Sequence, residues 1–339
     1  MAEALPAAAR DIVERVRLSY RDWAPAQQRP PSVAGILARG AVNLSLLLRG
    51  EGDCWVLRIP RGERPAGVCY ARELRLHALA AAQALAPAVV LADPGSGLLV
   101  TTYLPRDAGD ARGVPASTGR ARPPGADRER HGDGDGRASP AAVADLLRAI
   151  HALDLASLPA PAAGDGRDRT GEEIDLSPLD PVLELARLRH GAGRRDPLRD
   201  LPGAAAHCLQ GAAERSRARS RPRVICHNDL LSANRLTHRG QLVAIDWEYA
   251  RPGDPLFDLA VVASELDSRQ RAALYAAYLQ RRPTRTEQQR LMDQLVLYSA
   301  IAACWYARHG DARATGSARE RLVSVARDAA RHDDDGPDA

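Results

Sequence analysis

The chain contains no lysine, so all 47 of its basic residues are arginine. This absence excludes mechanisms that need a lysine amine, such as Schiff-base chemistry, and it excludes the glycine-rich phosphate-binding loop whose motif requires a lysine. The five cysteines are odd in number and lack metal-type spacing, which disfavours a disulfide scaffold and a zinc ribbon. No uncharged apolar run reaches about 18 residues, so we expect no membrane-spanning helix and no membrane partner.

A strong excess of one charge is also missing. The net charge is only +4 over 339 residues and is spread along the chain, which gives no support to nucleic-acid binding. Hydrophobic residues make up 45% of the chain, so it can bury a full core in one large domain or two closely packed ones. The first 18 residues carry charges where a signal peptide needs an apolar run, so we expect a cytoplasmic protein.

The first third of the chain has the pattern of a small sheet with one inserted helix. Helical spacing predicts helices over 7–18 and 68–84. Short apolar runs separated by turn residues predict five strands, two within 35–49 and the others at 54–59, 88–91 and 98–103. This region, residues 1–104, is the predicted N-terminal lobe.

Residues 105–138 break this pattern, because they contain almost no large apolar side chain and are rich in Gly, Pro, Asp and Arg. We predict a disordered insertion there, and a disordered tail over 332–339. Residues 139–331 are predicted to form a helical lobe that begins with Ser139 as an N-cap and Pro140 in the first turn. Further helices are predicted over 178–190, 198–216, 255–281, 285–308 and 316–331.

The residues with the clearest chemical pattern lie between positions 223 and 260. Val224–Cys226 is predicted to be a short buried strand that leads to Asp229, with Asn234 five residues further on. A second strand ends at Asp246, and we expect it to lie beside the first. Two carboxylates, with a side-chain amide between them in the sequence, can bind one polyphosphate–magnesium complex, as phosphoryl transfer requires.

Three runs in this block resemble the signatures of a known superfamily. They are CHNDL at 226–230, IDWEYA at 245–250 and DPLFDLA at 254–260. Together they are similar to the aminoglycoside phosphotransferase and choline kinase superfamily, nearest its choline/thiamine kinase branch. The resemblance implies an α+β, bilobal protein-kinase-like fold, with a small antiparallel-sheet N-lobe and a mostly helical C-lobe.

The resemblance also implies which residues bind ATP. In the family the nucleotide is contacted by a loop, by a basic residue on the third strand, by a glutamate on the next helix and by the backbone between the lobes. Here Gly40 and Asn43 match the loop, Arg58 matches the basic residue and Glu73 matches the glutamate. The backbone between the lobes corresponds to Thr102, Tyr103 and Leu104. Arginine replaces the lysine that aminoglycoside kinases usually have, although a guanidinium can still bind phosphate oxygens. Alternatively, Arg58 could be a surface arginine at a strand end, and the residues around Tyr103 could belong to an ordinary edge strand.

For the reaction itself, the resemblance implies that Asp229 accepts the proton of the attacking hydroxyl, while Asn234 and Asp246 bind Mg²⁺. Asp258 is expected to bind backbone amides of the catalytic loop, and His227 to have a structural role. Glu248 could bind a second metal or the substrate, or face solvent. Two aromatic residues seven positions apart, Tyr298 and Trp305, could contact a cationic substrate, although such a stripe is more often part of a core.

These observations predict an ATP-dependent kinase that phosphorylates a primary alcohol of a small cationic acceptor, such as choline, ethanolamine or thiamine. One alternative is an aminoglycoside phosphotransferase, for which acidic residues at 172, 173, 175 and 184 could bind a polycation. A second alternative, from another functional class, is an inactive pseudokinase that acts as a binding module.

Overall fold

The computed structural model describes residues 5–62, 64–65, 67–107, 138–158, 174–218 and 223–334. The chain divides into two compact units. Unit 1 comprises Met1–Ala121, Ala156–Asp175 and Leu236–Tyr249, and unit 2 comprises Arg122–Leu155, Leu176–Arg235 and Ala250–Ala339. Most of the predicted insertion, residues 108–137, lies outside the described residues. Within the described part of the chain, no helix is long and apolar enough to cross a membrane.

Unit 1 is built on a five-stranded antiparallel sheet with strand order β1-β2-β3-β5-β4. Its strands are β1 Ser32–Arg39, β2 Asn43–Arg49, β3 Cys54–Pro60, β4 Val89–Asp93 and β5 Leu98–Thr102. Its helices are α1 Ala7–Leu18, α2 Tyr20–Trp23 and α3 Tyr70–Ala82. The sheet with one inserted helix is therefore confirmed, and α1 has the predicted bounds.

Alternation along the strands explains how this sheet buries one face. In β2 the side chains of Leu44, Leu46 and Leu48 are all buried, and each is two residues from the next. The helices α1 and α2 supply further members of the same core, including Trp23, whose ring meets that of Trp55 edge-on at 5.3 Å. The core thus fixes β3, the strand that carries Arg58.

Unit 2 is mostly helical. Its helices are α4 Pro140–His151, α5 Pro181–Ala192, α6 Gly203–Arg217, α7 Pro255–Ala263, α8 Ser268–Leu279, α9 Arg285–Arg308 and α10 Ala312–Asp334. Helix α9 packs against α5, α6, α7 and α10, so it forms the centre of this unit. As predicted, Ser139 caps α4, and its side chain accepts a hydrogen bond from the amide of Ala142. The predicted combination of a sheet unit and a helical unit is confirmed.

The single helix predicted over 255–281 is wrong, because two helices occupy this range. All nine residues of α7 are buried, whereas α8 buries only Leu274 and Tyr275. A capping box formed by Asp267 and Gln270 begins α8 as a separate helix. The break falls in a polar run, SELDSRQR at 264–271, in which Leu266 is the one apolar residue, so a local signal for it was present in the sequence.

Four short strands complete the fold, and their pairing corrects a second expectation. They are β6 Val224–Cys226, β7 Arg235–His238, β8 Gln241–Ala244 and β9 Arg251–Gly253. Strand β6 pairs with β9, whereas β8 forms a hairpin with β7. The strands that lead to Asp229 and Asp246 are therefore not neighbours in one sheet, contrary to the expectation.

Candidate active site

In unit 1, Arg58 lies between two acidic side chains. Its Nη2 donates a hydrogen bond to Glu73 Oε2 at 2.7 Å, and its Nη1 bonds to Glu73 Oε1. The same Nη1 also donates to Asp246 Oδ1 at 3.1 Å. Both Arg58 and Glu73 are buried, so the pair forms as the sequence predicted, and it also contacts the carboxylate that follows β8.

The charges around Arg58 hold it in the protonated form. Burial alone would lower the pKa of its guanidinium, but the carboxylates of Glu73, Asp246 and Glu248 more than offset this and raise it above its usual value. A buried positive charge is tolerable only when it is paired in this way. The side chain therefore carries a permanent positive charge at the place predicted for phosphate oxygens.

The residues that precede Asp246 explain why it reaches Arg58. Strand β8 ends at Ala244, whose amide donates to the carbonyl of Leu85 at 2.9 Å, and Asp246 itself has a left-handed φ of 64°. The next residue, Trp247, is fully buried and donates its indole N–H to the carbonyl of Ala244 at 3.2 Å. The tight bend thus buries the tryptophan and turns the aspartate towards Arg58. Such backbone conformations concentrate at functional sites.

Glu248 does not face solvent, because it is buried and bonded to the predicted nucleotide loop. Asn43 Nδ2 donates to Glu248 Oε2 at 2.7 Å, and both side chains are less than 9% exposed. Burial is the main cause that raises the pKa of Glu248, and the nearby charge of Asp246 adds to it.

Glycine at position 40 allows a close backbone contact in the loop between β1 and β2. The amide of Gly40 donates to the carbonyl of Asn43 at 2.9 Å, and a Cβ on Gly40 would lie only 3.2 Å from that oxygen. Arg61 Nη1 donates to the carbonyl of Gly40 at 2.9 Å, which fixes the loop to the end of β3. The two predicted loop residues therefore lie in one tight turn.

The predicted adenine-binding residues lie at the end of β5 and just after it. Thr102 Oγ1 accepts a hydrogen bond from the amide of Ala88 at 3.1 Å, and the amide of Tyr103 donates to the carbonyl of Cys54 at 2.9 Å. Among the described residues, the amide of Leu104 has no hydrogen-bond partner. An unpaired donor at this position could bind the edge of a base.

In unit 2, Asp229 and Asn234 are bonded to each other. Asn234 Nδ2 donates to Asp229 Oδ2 at 2.8 Å and to the carbonyl of Asp229 at 2.9 Å. The short turn Ser232–Asn234 is held by Glu265, which accepts from the amide of Ser232 at 2.7 Å and from its hydroxyl at 2.8 Å. The predicted base and one predicted metal ligand therefore form one hydrogen-bonded pair.

Asp258 holds the backbone just before Asp229, as predicted. Its two carboxylate oxygens accept from the amides of His227 at 2.7 Å and Asn228 at 2.5 Å. Asn228 has a left-handed φ of 63°, so these bonds hold a conformation that non-glycine residues seldom adopt. His227 is fully buried, in agreement with its predicted structural role.

A sequence reading did not anticipate that His151 also binds Asp258. His151 Nε2 lies 3.1 Å from Asp258 Oδ2, and its Nδ1 lies 2.8 Å from the hydroxyl of Tyr278. Together with Cys226, these residues come close enough to share a cation. However, Asp258 already accepts hydrogen bonds from the amides of His227 and Asn228, and the Cys226 thiol, whose pKa is raised by burial, donates to the carbonyl of Val224, so we assign no metal site to this group.

The aromatic residues of α9 differ in their surroundings. Tyr298 is buried and meets the ring of Phe257 edge-on at 6.0 Å, whereas Trp305 stacks on His309 at 3.9 Å. Burial and then the charge of Asp229 raise the pKa of Tyr298, and the same two causes raise that of Tyr306 to about 12.

The sequence analysis missed Tyr306. Tyr306 lies eight positions after Tyr298, and Trp305 lies seven positions after it. Residues at both spacings fall on the same face of a helix, so the pattern that indicated Trp305 could also have indicated Tyr306.

The structure thus assembles the predicted residues in two groups. Unit 1 contains Arg58, Glu73, Asp246, Asn43 and Glu248, together with the loop and strand-end residues described above. Unit 2 contains Asp229 and Asn234, with Tyr298 and Trp305 on α9. The sharing of one magnesium ion by Asn234 and Asp246 stays a prediction.

Comparison with known proteins identifies relatives of this chain. The family model of the Phosphotransferase enzyme family matches residues 35–291. The curated protein LicA of Haemophilus influenzae is 46% identical over 48 residues, which cover 14% of this chain and only 18% of LicA. The match therefore spans less than a fifth of the length of that relative.

Several solved structures share the fold. A choline/ethanolamine kinase family protein from Mesorhizobium loti is 19% identical, with 95% and 97% of the two chains covered and a TM-score of 0.64. LicA in complex with AMP is 14% identical, with coverages of 94% and 98% and a TM-score of 0.60. The macrolide 2'-phosphotransferase MphH from Brachybacterium faecium is 18% identical, with coverages of 92% and 97% and a TM-score of 0.56. Because the family model matches more than half of the chain, this protein belongs to the Phosphotransferase enzyme family.

Proposed function

We propose that this protein is an ATP-dependent kinase that transfers the γ-phosphate to a primary alcohol of a small cationic acceptor. The observation that carries the proposal is the placement of Arg58, which is bonded both to Glu73 and to Asp246. A guanidinium that is oriented by a helix glutamate and touches a metal-type carboxylate is suited to bind a nucleotide polyphosphate next to its metal ion.

In this proposal the nucleotide contacts unit 1. Arg58 binds the α- and β-phosphates, while the turn at Gly40 and Asn43 covers them. The adenine base lies against Thr102, Tyr103 and Leu104, where the unpaired amide of Leu104 donates to a ring nitrogen.

The proposed ligands of Mg²⁺ are Asp246 and Asn234. Their chemistry fits a hard cation, because both offer oxygen atoms. The side chain of Asp246 is 34% exposed, so its carboxylate is accessible. Asn234 uses its Nδ2 for both bonds to Asp229, so its amide oxygen, which has no hydrogen-bond partner among the described residues, points away from that bond. When bound, Mg²⁺ neutralises charge on the transferred phosphoryl group.

Asp229 is the proposed general base. Its carboxylate accepts the proton of the acceptor hydroxyl, and the oxygen of that hydroxyl then attacks the γ-phosphorus in line with the departing ADP. Asn234 orients the carboxylate through Oδ2. The bonds from Asp258 to the preceding amides hold the loop in place, so the base is positioned before substrate arrives.

Aromatic residues of α9 are the proposed contacts of the cationic acceptor. Aromatic faces stabilise a fixed positive charge, and Tyr298, Tyr306 and Trp305 all lie on the last three turns of α9. Glu248 is less suited to contact the cation, because it is buried and bonded to Asn43, and burial raises its pKa.

The two described carboxylates invoked for a polycationic antibiotic both lie near arginines. Asp175 approaches Arg72 at 3.9 Å, Glu184 accepts from Arg187 Nε at 2.9 Å, and residues 172 and 173 lie outside the described residues. Cytoplasmic location and the absence of a nucleic-acid partner stay predictions.

An acceptor panel tests the proposal. Purified protein with Mg²⁺ and ATP is assayed by coupled ADP release against choline, ethanolamine, thiamine, kanamycin and erythromycin. We expect turnover with one of the first three, and loss of nearly all turnover in Asp229→Asn with ADP affinity changed by less than about threefold.

Asp267→Asn serves as the control, because this aspartate caps α8 and touches no proposed site residue. Faster turnover with kanamycin or erythromycin would replace the proposed acceptor but keep the reaction. An Asp229→Asn variant that turns over like the wild type would contradict the role of the base. No ADP release with any alcohol, despite ATP binding, would favour the pseudokinase alternative.

A further inference from the structure

The segment that follows β5 is fixed at both of its ends. At its start, the amide of Tyr103 donates to the carbonyl of Cys54 on β3. At its end, Asp107 is bonded to the hairpin of β7 and β8, and its amide donates to the carbonyl of Thr237 at 3.0 Å. The proposed base-binding amide of Leu104 lies between these two attachments.

The carboxylate of Asp107 binds the tip of that hairpin. Arg239 and Gly240 both have left-handed backbones, with φ of 52° and 74°. The amide of Arg239 donates to Asp107 Oδ1 at 2.9 Å, and that of Gly240 donates to Oδ2 at 2.7 Å. Two successive amides that converge on one anion form a compact anion-binding turn. These bonds, first that from Gly240 and then that from Arg239, lower the pKa of Asp107, so it is ionised at neutral pH.

A third attachment comes from His238. Its Nδ1 lies 2.8 Å from the carbonyl of Pro105, and because a carbonyl can only accept, Nδ1 carries the proton. Pro105 has no amide hydrogen of its own, and its carbonyl is occupied by His238. Between Tyr103 and Pro105, the amide of Leu104 is therefore the donor that has no partner within the described part of the chain and can bind a ligand.

We propose that Asp107 is a positioning residue for the purine base, and that it acts by fixing the backbone of Leu104 against the β7–β8 hairpin. The inference rests on the proposed nucleotide site. A single amide can bind a base tightly only when the chain on both sides of it is immobile. Otherwise the chain loses conformational entropy when the base binds, and this loss opposes binding. The same hairpin continues through β8 to Asp246, so one rigid element sets the positions of both the base-binding amide and the metal-binding carboxylate.

Binding of ADP and of inorganic tripolyphosphate, each with Mg²⁺ and measured by calorimetry, separates the base from the phosphates and needs no acceptor. In Asp107→Ala we expect the Kd of ADP to rise about tenfold, because both amide bonds to the carboxylate are lost. In Asp107→Asn, which keeps one accepting oxygen, the expected rise is about threefold. The Kd of tripolyphosphate stays unchanged in both variants, because it has no base.

Asp93→Ala is the matched control in the same unit. Asp93 also accepts from a turn amide, that of Gly95 at 3.0 Å, and from the hydroxyl of Ser96 at 2.6 Å, but its turn joins β4 to β5 and does not touch residues 103–107. The ADP affinity of the Asp93→Ala variant should equal that of the wild type. His238→Phe removes only the bond to Pro105 and should raise the Kd of ADP about threefold, which tests the inference even if Asp107→Ala does not fold.

Two results would overturn the inference. One is equal ADP affinity in the wild type, Asp107→Asn and His238→Phe. The other is an equal loss of ADP and tripolyphosphate affinity, which would indicate general damage to the unit. A wild-type protein that binds neither ligand would instead refute the proposed nucleotide site, and this inference with it.

Discussion

A buried histidine makes the stability of unit 1 depend on pH. His77 on α3 is 3% exposed, and its Nε2 donates to the carbonyl of Pro87 at 2.8 Å. Its Nδ1 is buried without a hydrogen-bond partner among the described residues, so a second proton there would have no acceptor. Burial lowers the pKa of His77 from 6.5 to about 4; the bond to Pro87 opposes this effect, and the charge of Arg58 adds to it.

The size of the effect follows from that shift. As pH falls below 6.5 the unfolded chain takes up a proton at this site, whereas the folded chain resists until about pH 4, so falling pH favours unfolding. With about 1.4 kcal/mol for each pH unit, the free energy of unfolding should be about 2 kcal/mol lower at pH 5 than at pH 8 through this residue alone, and about 3 kcal/mol lower below pH 4.

Urea unfolding of the wild type and of His77→Gln at pH 8 and pH 5 measures how much the free energy of unfolding falls between the two pH values. Three of the four tryptophans, Trp23, Trp55 and Trp247, belong to unit 1, so fluorescence reports mainly on that unit. His77→Gln can keep a donor for Pro87 but cannot titrate, so its loss between the two pH values should be about 2 kcal/mol smaller. His207→Gln, at an exposed position, should behave as the wild type. Equal losses in wild type and His77→Gln would refute the reasoning.

Three further changes test other parts of the structure. Gly97→Ala, with φ of +73° and a Cβ that would lie 2.4 Å from the ring of Tyr70, should lower the free energy of unfolding by about 2–4 kcal/mol. Gly52→Ala, with φ of +92° and nothing within 4 Å, should lose only about 1 kcal/mol; equal losses would contradict the predicted clash. Arg58→Lys should raise the calorimetric Kd of ADP at least about tenfold, because an ammonium cannot make the planar paired bonds to a carboxylate; an unchanged Kd would exclude this role. Asp258→Asn should lower kcat at least about tenfold and leave ADP affinity unchanged, because the new side-chain amide nitrogen would face one of the backbone amides that precede Asp229. An equal loss of kcat and of ADP affinity would instead indicate unfolding.

Much of the fold could be predicted because its signals are local. Helices α1 and α9 have the bounds expected from their apolar spacing, and the five strands of unit 1 follow from apolar runs between turn residues. The pairing of Arg58 with Glu73 and the binding of backbone amides by Asp258 were also predicted, because they belong to motifs whose residue types and order are readable.

The errors and omissions have a common physical cause, which is that the contacts concerned are distant in sequence. Asn43 and Glu248 are 205 residues apart, so neither position indicates the other. Strand β9 contains only three residues, including Pro252, and nothing in its pattern reveals that it pairs with β6. The break before α8 was different, because the polar run at 264–271 and the capping box at Asp267 are both local signals that the sequence offers.

The replacement of lysine by arginine at position 58 also decides which chemical probes can label this protein. Nucleotide reagents that acylate a lysine amine in the phosphate site need a side chain that can lose its proton and attack. The raised pKa of Arg58 keeps its guanidinium protonated, and the chain contains no lysine that could supply an amine. Amine-reactive nucleotide reagents should therefore leave the site unmodified even when ATP is bound there, and a survey of kinases based on such labelling would overlook this one.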